Sequence, residues 1–424
     1  MPAPGSSPLC LTNARYIDPD TLDIRTGHLA VTPGPQGSAA FVDAIPTGAD
    51  TIDCAGKIVT RAFAVGHHHI YSALARGMPP PAATPTNFVE ILQRIWWNLD
   101  KALDTDMIRA SALAAAVDAA KSGVTFIIDH HASPNAAAGS LHTIAHALES
   151  VGLDHLLCYE LSDRDGPERR DAGFRETAEY LQSHPGLVGL HASFTVSDEL
   201  LDKAMHLAHE HDTGIHVHVA EAESDQQHCL QHHGLRCVHR FAQAGALDLS
   251  KTILAHCIHL DESERQRLGG ASAWVSHQPE SNLNNAVGIA DATGFEHRVF
   301  LGTDGMNGDP LAAARAEYLA CQSADAPSPL AVYRRLRRVH EYLAANNIPG
   351  DAPNNLVILD YDPPTPITPD NWPAHVVYAL NRSHIHTVIG NGRVIVRDRR
   401  CTLVDEAEIA ADAREQAARL WSKL

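Results

Sequence analysis

Long apolar runs are missing from this chain of 424 residues. No stretch approaches the 18 or more uninterrupted apolar positions of a membrane span, so a membrane is not an expected partner. Disorder is excluded too, because 44% of the residues are apolar and only 20% are charged. Positive charge is in deficit: 33 Lys and Arg stand against 51 Asp and Glu, a net charge of −18. A surface that acidic repels phosphate backbones and anionic lipid, so nucleic acid is not an expected partner either. Eight cysteines occur without a C-x-x-C pair, which in a chain of this size reads as reduced, mostly buried thiols rather than a disulfide framework or a zinc ribbon. The opening Met1-Pro-Ala-Pro-Gly-Ser-Ser lacks the basic start and apolar block of a secretory signal. The cytoplasm is the expected location.

What is abundant is histidine: 28 residues, as many as glycine, several of them closing short apolar runs. That placement asks for a metal. At more than twice the length of an ordinary domain, the chain is one large barrel with appendages or two domains. Between residues 61 and 345, apolar runs of four to eight residues alternate with helical stretches such as 106–122, 141–151, 198–211 and 261–268, the pattern of parallel strands joined by helices. Eight runs can be counted: Ala64 to His69, Val124 to His131, Leu156 to Glu160, Leu187 to His191, Gly214 to Glu221, Thr252 to His256, Ala273 to His277 and Val299 to Asp304. Eight βα units predict an α/β fold, a (β/α)8 TIM barrel, whose chemistry belongs at the C-terminal strand ends. Residues 1–60 and 346–404 carry short strands between turns, His375 to Tyr378 among them, and are expected to join as a small β-sandwich domain. Residues 405–424 read as a closing helix.

His67, His68 and His69 end the first run, and strand alternation puts His67 and His69 on one face and His68 on the other. An H-x-H pair can grip one cation. His218 ends the fifth run three residues before Glu221, Asp304 ends the eighth, and His256 ends the sixth. Three neutral imidazoles and one carboxylate leave a position open for water, the composition of a catalytic site. Each residue alone is equally well a satisfied polar group at a barrel mouth; their joint occurrence on strands one, five, six and eight favours the metal. Against this stand His142/His146 and His228/His232, whose i, i+4 spacing offers only an adventitious grip. Trp96-Trp97 reads as core packing before pocket lining. His130 and His131 lie near the mouth, where a substrate contact is open to either.

Beyond these patterns, His69-Ile-Tyr-Ser-Ala-Leu-Ala-Arg-Gly, Trp96-Trp97 with Leu99-Asp-Lys-Ala-Leu-Asp, Asp129-His-His-Ala-Ser-Pro, His191-Ala-Ser-Phe-Thr-Val and Ser281-Asn-Leu-Asn-Asn-Ala-Val-Gly carry a resemblance over nearly the whole chain. The sequence resembles the amidohydrolase superfamily, in its cytosine-deaminase-like branch, and is most similar to SsnA-type aminohydrolases. The resemblance implies metal ligands at His67, His69, His218 and Asp304, a proton-shuttling acid at Glu221 and a water-orienting base at His256. It also implies a substrate contact at His191, and leaves His130 and Gln278 as further candidates, the latter where relatives often carry Asn. Two departures stand out: Arg61-Ala62 replaces a Pro-Gly, and the passage after Asn347 is shortened. Two-metal members need a carbamylated bridging Lys at a strand end. None of the six lysines lies at one. One divalent ion per chain is therefore implied, zinc, with iron as the alternative.

The implied activity is hydrolytic deamination of an N-heterocycle such as a purine, pterin or triazine. In that scheme Asp304 and His256 take the proton of a metal-activated water, and Glu221 relays protons to the ring nitrogen and to ammonia. Hydrolysis of a cyclic amide or of a ring C–Cl bond uses the same groups and stays open. A non-catalytic metal-storage or sensor protein would have no use for Glu221 and His256. The expected partners are a small-molecule substrate and further copies of the chain, in a homodimer or higher homo-oligomer.

Overall fold

The computed structural model describes residues 8–424. Five strands come first: β1 (Leu9–Ile17), β2 (Ile24–Val31), β3 (Ala39–Val42), β4 (Asp50–Asp53) and β5 (Ile58–Arg61). Eight strands follow, each separated from the next by helix: β6 (Phe63–His68), β7 (Val124–His131), β8 (Asp154–Leu161), β9 (Val188–Ala192), β10 (Ile215–Val219), β11 (Ile253–His256), β12 (Trp274–His277) and β13 (Val299–Leu301). The chain returns through β14 (Leu356–Leu359), β15 (Ile385–Gly390), β16 (Arg393–Arg397) and β17 (Arg400–Cys401).

Strands β6 to β13 pair in sequence order, all parallel. The seam between first and last closes through Thr303 N–H and Asp304 N–H on the His67 carbonyl, at 2.8 and 3.0 Å, and His69 N–H on the Asp304 carbonyl at 3.1 Å. Two glycines let the seam close: a Cβ on Gly66 would lie 2.3 Å from the Phe300 ring, and one on Gly302 would lie 2.8 Å from His67. The lower barrel interior is apolar, filled by Ala64, Phe126, Ile128, Leu156, Ile253, Trp274 and Phe300, and plugged by Tyr342 and Leu343 of the helix Pro329–Ala345. Polar side chains occupy only the upper layer, as expected of a barrel whose strands carry function at their C-terminal ends.

The two chain ends join in one nine-stranded sheet, ordered β17-β16-β15-β14-β5-β1-β2-β3 with β4 on β1. Its halves meet where β14 runs antiparallel to β5, Leu356 opposite Arg61 and Leu359 opposite Ile58. Leu356 and Ile358 pack with Leu11, Val31 and Val59 on one face, while Val357 and Leu359 join the main core on the other. Burial on both faces explains why this strand reads as an unbroken apolar run. The two departures noted in the sequence touch each other: Arg61 Nη2 meets Asp351 Oδ2 of the shortened passage at 2.8 Å, and His340 Nδ1 lies 2.8 Å from the same oxygen.

One expected strand is a helix. Residues His375 to Tyr378 lie in the helix Trp372–Tyr378, with Pro373 in its first turn. Trp372, Val376 and Val377 are its buried face, and this packing overrides the strand preference of two adjacent valines. The closing helix, Glu406–Trp421, lies against the barrel helix Thr105–Lys121 through Lys121–Glu406 and Arg109–Asp412 pairs at 2.6 and 2.9 Å. Among the described residues no helix is long and apolar enough to cross a membrane.

Candidate active site

The upper barrel layer gathers imidazoles from β6, β7, β10 and β11. Two overlapping sets of donor atoms lie within 4.8 Å of one another: His67, His218, His256 and Asp304, and His69, His130 and His218. His69 Nε2 links them, 3.1 Å from His218 Nε2 and 3.0 Å from Asp304 Oδ1. His67 Nε2 stands 3.4 Å from the same carboxylate oxygen. The far nitrogen of each ring is engaged elsewhere: His69 Nδ1 with the His130 carbonyl and His218 Nδ1 with the His191 carbonyl, both at 2.6 Å, and His67 Nδ1 with His216 Nε2 at 2.9 Å. Anchoring of this kind aims Nε2 inward. Asp304 Oδ2 accepts from Ser281 Oγ.

The backbone at these positions is unusual. Ala220, His256, Cys257 and Asp304 adopt left-handed conformations, with φ of 49°, 72°, 52° and 51°. Such strain in residues other than glycine collects where function over-determines the conformation. Ala220 is held by Asp225, whose Oδ2 accepts its N–H at 2.8 Å, and this sets the turn that delivers Glu221.

Burial pushes His67 down to about 3 in spite of Asp304, and pushes His218 well below its usual range, aided by the neighbouring His130 and His67. Both are therefore neutral, the form that ligates. His69 is also opposed by burial, but the hydrogen bond and charge of Asp304 outweigh it and lift the group to about 9. Burial likewise opposes the Asp304 carboxylate, and the His67 and His69 contacts overcome it, holding Asp304 well below the usual carboxylate range. Glu221 goes the other way: burial and then the Asp304 charge push its carboxyl well above the usual carboxylate range. His256, lowered by burial, turns Nε2 to within 3.4 Å of Glu221 Oε2 while its Nδ1 meets Asn282 Oδ1 at 2.8 Å.

The donor set fits a cation. His67 Nε2 and His256 Nε2 are buried without a hydrogen-bond partner, and two further Nε2 atoms and a carboxylate oxygen converge on the same space. Buried polar atoms are normally satisfied, so orphans clustered this way mark a place for an ion.

A pocket opens above the cluster, with His69, His218, Glu221 and Asp304 on its floor and Tyr71, Phe88, Trp96, Trp97 and Phe194 around it. The tryptophan pair, read from sequence as core, lines this pocket. A π-helical turn, Leu92–Trp96, runs into the helix Trp97–Ala102 and places both indoles on the site side. Gly305 makes room for one of them, since a Cβ there would stand 3.2 Å from the Trp96 ring. His191 is on the wall with Nδ1 engaged by Thr195 Oγ1 at 2.6 Å, which leaves Nε2 for a ligand. His130 and Gln278 are elsewhere. His130 is fully buried among the Leu190 and His216 carbonyls and Glu160, at 3.2, 3.1 and 3.3 Å. Gln278, also fully buried, accepts the His256 N–H at 3.1 Å. His131 bonds Ser133 Oγ at 2.9 Å. His68 faces away from the cluster and meets Thr303 Oγ1 at 2.9 Å, so it braces the end of β13 besides packing. Neither the His142/His146 nor the His228/His232 pair belongs to a donor cluster among the described residues.

Sequence reasoning missed three groups. His216 was visible as a second H-x-H, two positions before His218. Asn282 lies in the segment 281–288, whose only signal in the sequence is the family resemblance. The third is a buried charge cluster on the wall, Arg164 between Glu160 and Asp100 at 2.6 and 2.7 Å, stacked 5.4 Å from Trp97; no local signal announces it.

Fold and site together define a class: a (β/α)8 barrel with an imidazole–carboxylate cluster at its C-terminal strand ends, suited to a catalytic cation. Residues 59–334 match the amidohydrolase family, and the chain belongs to it. It is 27% identical over 455 residues to a 5-methylthioadenosine/S-adenosylhomocysteine deaminase of Desulforudis audaxviator, covering 97% of this chain and 99% of that one. It is 29% identical over 379 residues to a 5'-deoxyadenosine deaminase of Methanopyrus kandleri, covering 84% and 85%. In fold it resembles a zinc-bound adenosine deaminase from Xanthomonas campestris, with a TM-score of 0.82 at 18% identity over 98% of both chains. An atrazine chlorohydrolase variant from Arthrobacter aurescens TC1, complexed with zinc and atraton, gives 0.83 at 17% identity over 96% of this chain and 100% of that one.

Proposed function

We propose that this chain is a hydrolytic deaminase of an N-heterocyclic compound such as a purine, pterin or triazine, dependent on one divalent ion held by His67, His69, His218 and Asp304. The observation that carries the reading is the clustering of donors from His67, His218, His256 and Asp304, with His69 Nε2 3.1 Å from His218 and 3.0 Å from Asp304, beside Glu221 and beneath a pocket lined by Tyr71, Phe88, Trp96, Trp97 and Phe194. The names of the curated relatives, deaminases of adenine nucleosides, support the same reaction class. Zinc in the neighbouring structures favours zinc over iron.

When bound, a divalent cation supplies Lewis acidity that brings the pKa of water from about 15.7 towards about 7. Asp304, steadied by Ser281, and His256, steadied by Asn282, take the water proton and align its oxygen with the ring carbon that bears the amino group. Glu221, whose carboxyl burial pushes well above its usual range, gives its proton to the adjacent ring nitrogen. It then takes the proton of the added hydroxyl, passes it to the departing amine, and is re-protonated by the water proton held on Asp304 and His256. The C–N bond breaks, ammonia leaves, and the ring carbon becomes a carbonyl. His191 Nε2 holds the substrate, while His130 and Gln278 act from behind as supports. The working form is a cytoplasmic homo-oligomer, and its charge of −18 argues against nucleic acid as a partner.

Two measurements test this. Elemental analysis should find one zinc or iron per chain; two equivalents at full occupancy, or none after reconstitution, overturns the single-ion site. A panel of amino- and chloro-substituted purines, pyrimidines, pterins and triazines should release ammonia. Chloride release or ring opening without ammonia would assign the same site to dechlorination or cyclic-amide hydrolysis.

A further inference from the structure

Beneath the cluster lies an imidazole that the proposed reaction leaves unused. His216 is two residues from His218 on the inward face of β10 and is fully buried. Its Nε2 lies 2.9 Å from His67 Nδ1, its Nδ1 lies 3.7 Å from Cys158 Sγ, and that thiol reaches the Asp129 carbonyl at 3.5 Å. His69 and His218 anchor their far nitrogens on backbone carbonyls, which only accept, so each carries a hydrogen on Nδ1 and leaves Nε2 as the nitrogen that can face a cation. His67 has no such carbonyl. Its partner is an imidazole nitrogen, which can either donate or accept.

We propose that His216 and Cys158 are positioning residues that fix the hydrogen of His67 on Nδ1 and so keep its Nε2 lone pair turned to the cation; the inference rests on the reading of His67 as a ligand. Counting hydrogens gives the direction. The Asp129 carbonyl can only accept, so the thiol hydrogen lies on that contact and the sulfur accepts from His216 Nδ1–H. A neutral imidazole has one N–H, so His216 Nε2 is an acceptor and His67 Nδ1 must donate to it. Nε2 of His67 then carries no hydrogen. Running the chain backwards would put a hydrogen on His67 Nε2, where it would block ligation, and would leave the Asp129 carbonyl without the thiol.

The test is zinc affinity, read by competition with a chromophoric chelator on the full chain, with the melting temperature of each metal-free protein measured in parallel. H216L offers no acceptor and should bind zinc about tenfold to a hundredfold more weakly than wild type. H216N, whose amide ends a methylene short of His67, should lose as much and covers the case in which H216L does not fold. H216Q, with its amide oxygen at the distance of Nε2, should return to within about threefold of wild type. C158S, which can still donate and accept, should also bind zinc nearly as wild type. Equal losses in H216N and H216Q would assign His216 to packing alone and overturn the inference, as would wild-type affinity in H216N or H216L. Absence of zinc binding by the wild-type chain would instead overturn the ligand reading itself.

Discussion

Replacing Glu221 with Gln separates the roles of the two carboxyls at the floor of the pocket. Burial and then the Asp304 charge push the Glu221 carboxyl well above its usual range, and its Oε2 lies 3.4 Å from His256 Nε2, which is not among the ligands proposed for the ion. An amide of the same shape can still donate a hydrogen bond to a ring nitrogen but cannot transfer a proton. General acid catalysis of this kind contributes about 10²- to 10⁴-fold, or about 3 to 5 kcal/mol of barrier. Glu221→Gln should therefore lower kcat by that factor, leave KM within about threefold, and retain its metal. Asp304→Ala should lose both turnover and most of the metal, because its Oδ1 stands 3.0 and 3.4 Å from His69 and His67 Nε2. Steady-state ammonia release and metal analysis on both variants check this. A Glu221→Gln protein that has lost its metal beside an Asp304→Ala protein that keeps it, or a Glu221→Gln kcat within tenfold of wild type, refutes the assignment.

Three further outcomes are expected. His68→Asn should keep metal and most activity while losing about 1 to 3 kcal/mol of stability in urea titrations, since its buried contact is Thr303 Oγ1; a folded, metal-free variant would mean that His68 serves the ion. Glu317 is opposed by burial, yet His277 and Arg335, 3.1 and 2.6 Å away, hold it at about 2, below its ordinary 4.5. That lowering stabilises the fold above about pH 4.5 and fades as pH falls towards 2, so Glu317→Gln should cost about 3 kcal/mol at pH 7 and less at pH 4, by urea unfolding at each pH; a cost independent of pH would assign the effect to packing. Trp96→Ala should raise KM about tenfold or more with a smaller change in kcat, because it removes one face of the aromatic wall; an unchanged KM would return Trp96 to the core.

The sequence by itself determined the barrel and the residues around which a site could form. Apolar runs ending in His, Glu or Asp are legible because a strand buried on both faces must be continuously apolar, and a polar end then has only the barrel mouth to go to. His69, His218, Glu221 and Asp304 were found this way, and all lie on the pocket floor. Tertiary structure alone decided how those residues face one another. Along β6, Ala64 and Gly66 point into the barrel with Phe300, so unbroken alternation would turn His68 inward after them. Irregular pairing with β7 between Val65 and His68 resets the phase, and His67 turns in instead. His256 is likewise brought inward by its left-handed backbone, where alternation from the inward Ile253 would carry it out. Periodicity describes a regular strand, and these departures are set by how neighbouring strands close the barrel. The same holds for the Arg164 cluster, for His216 beside His67, and for Trp96 and Trp97 on the pocket wall. Each depends on a contact between distant segments, and local spacing carries no record of such contacts.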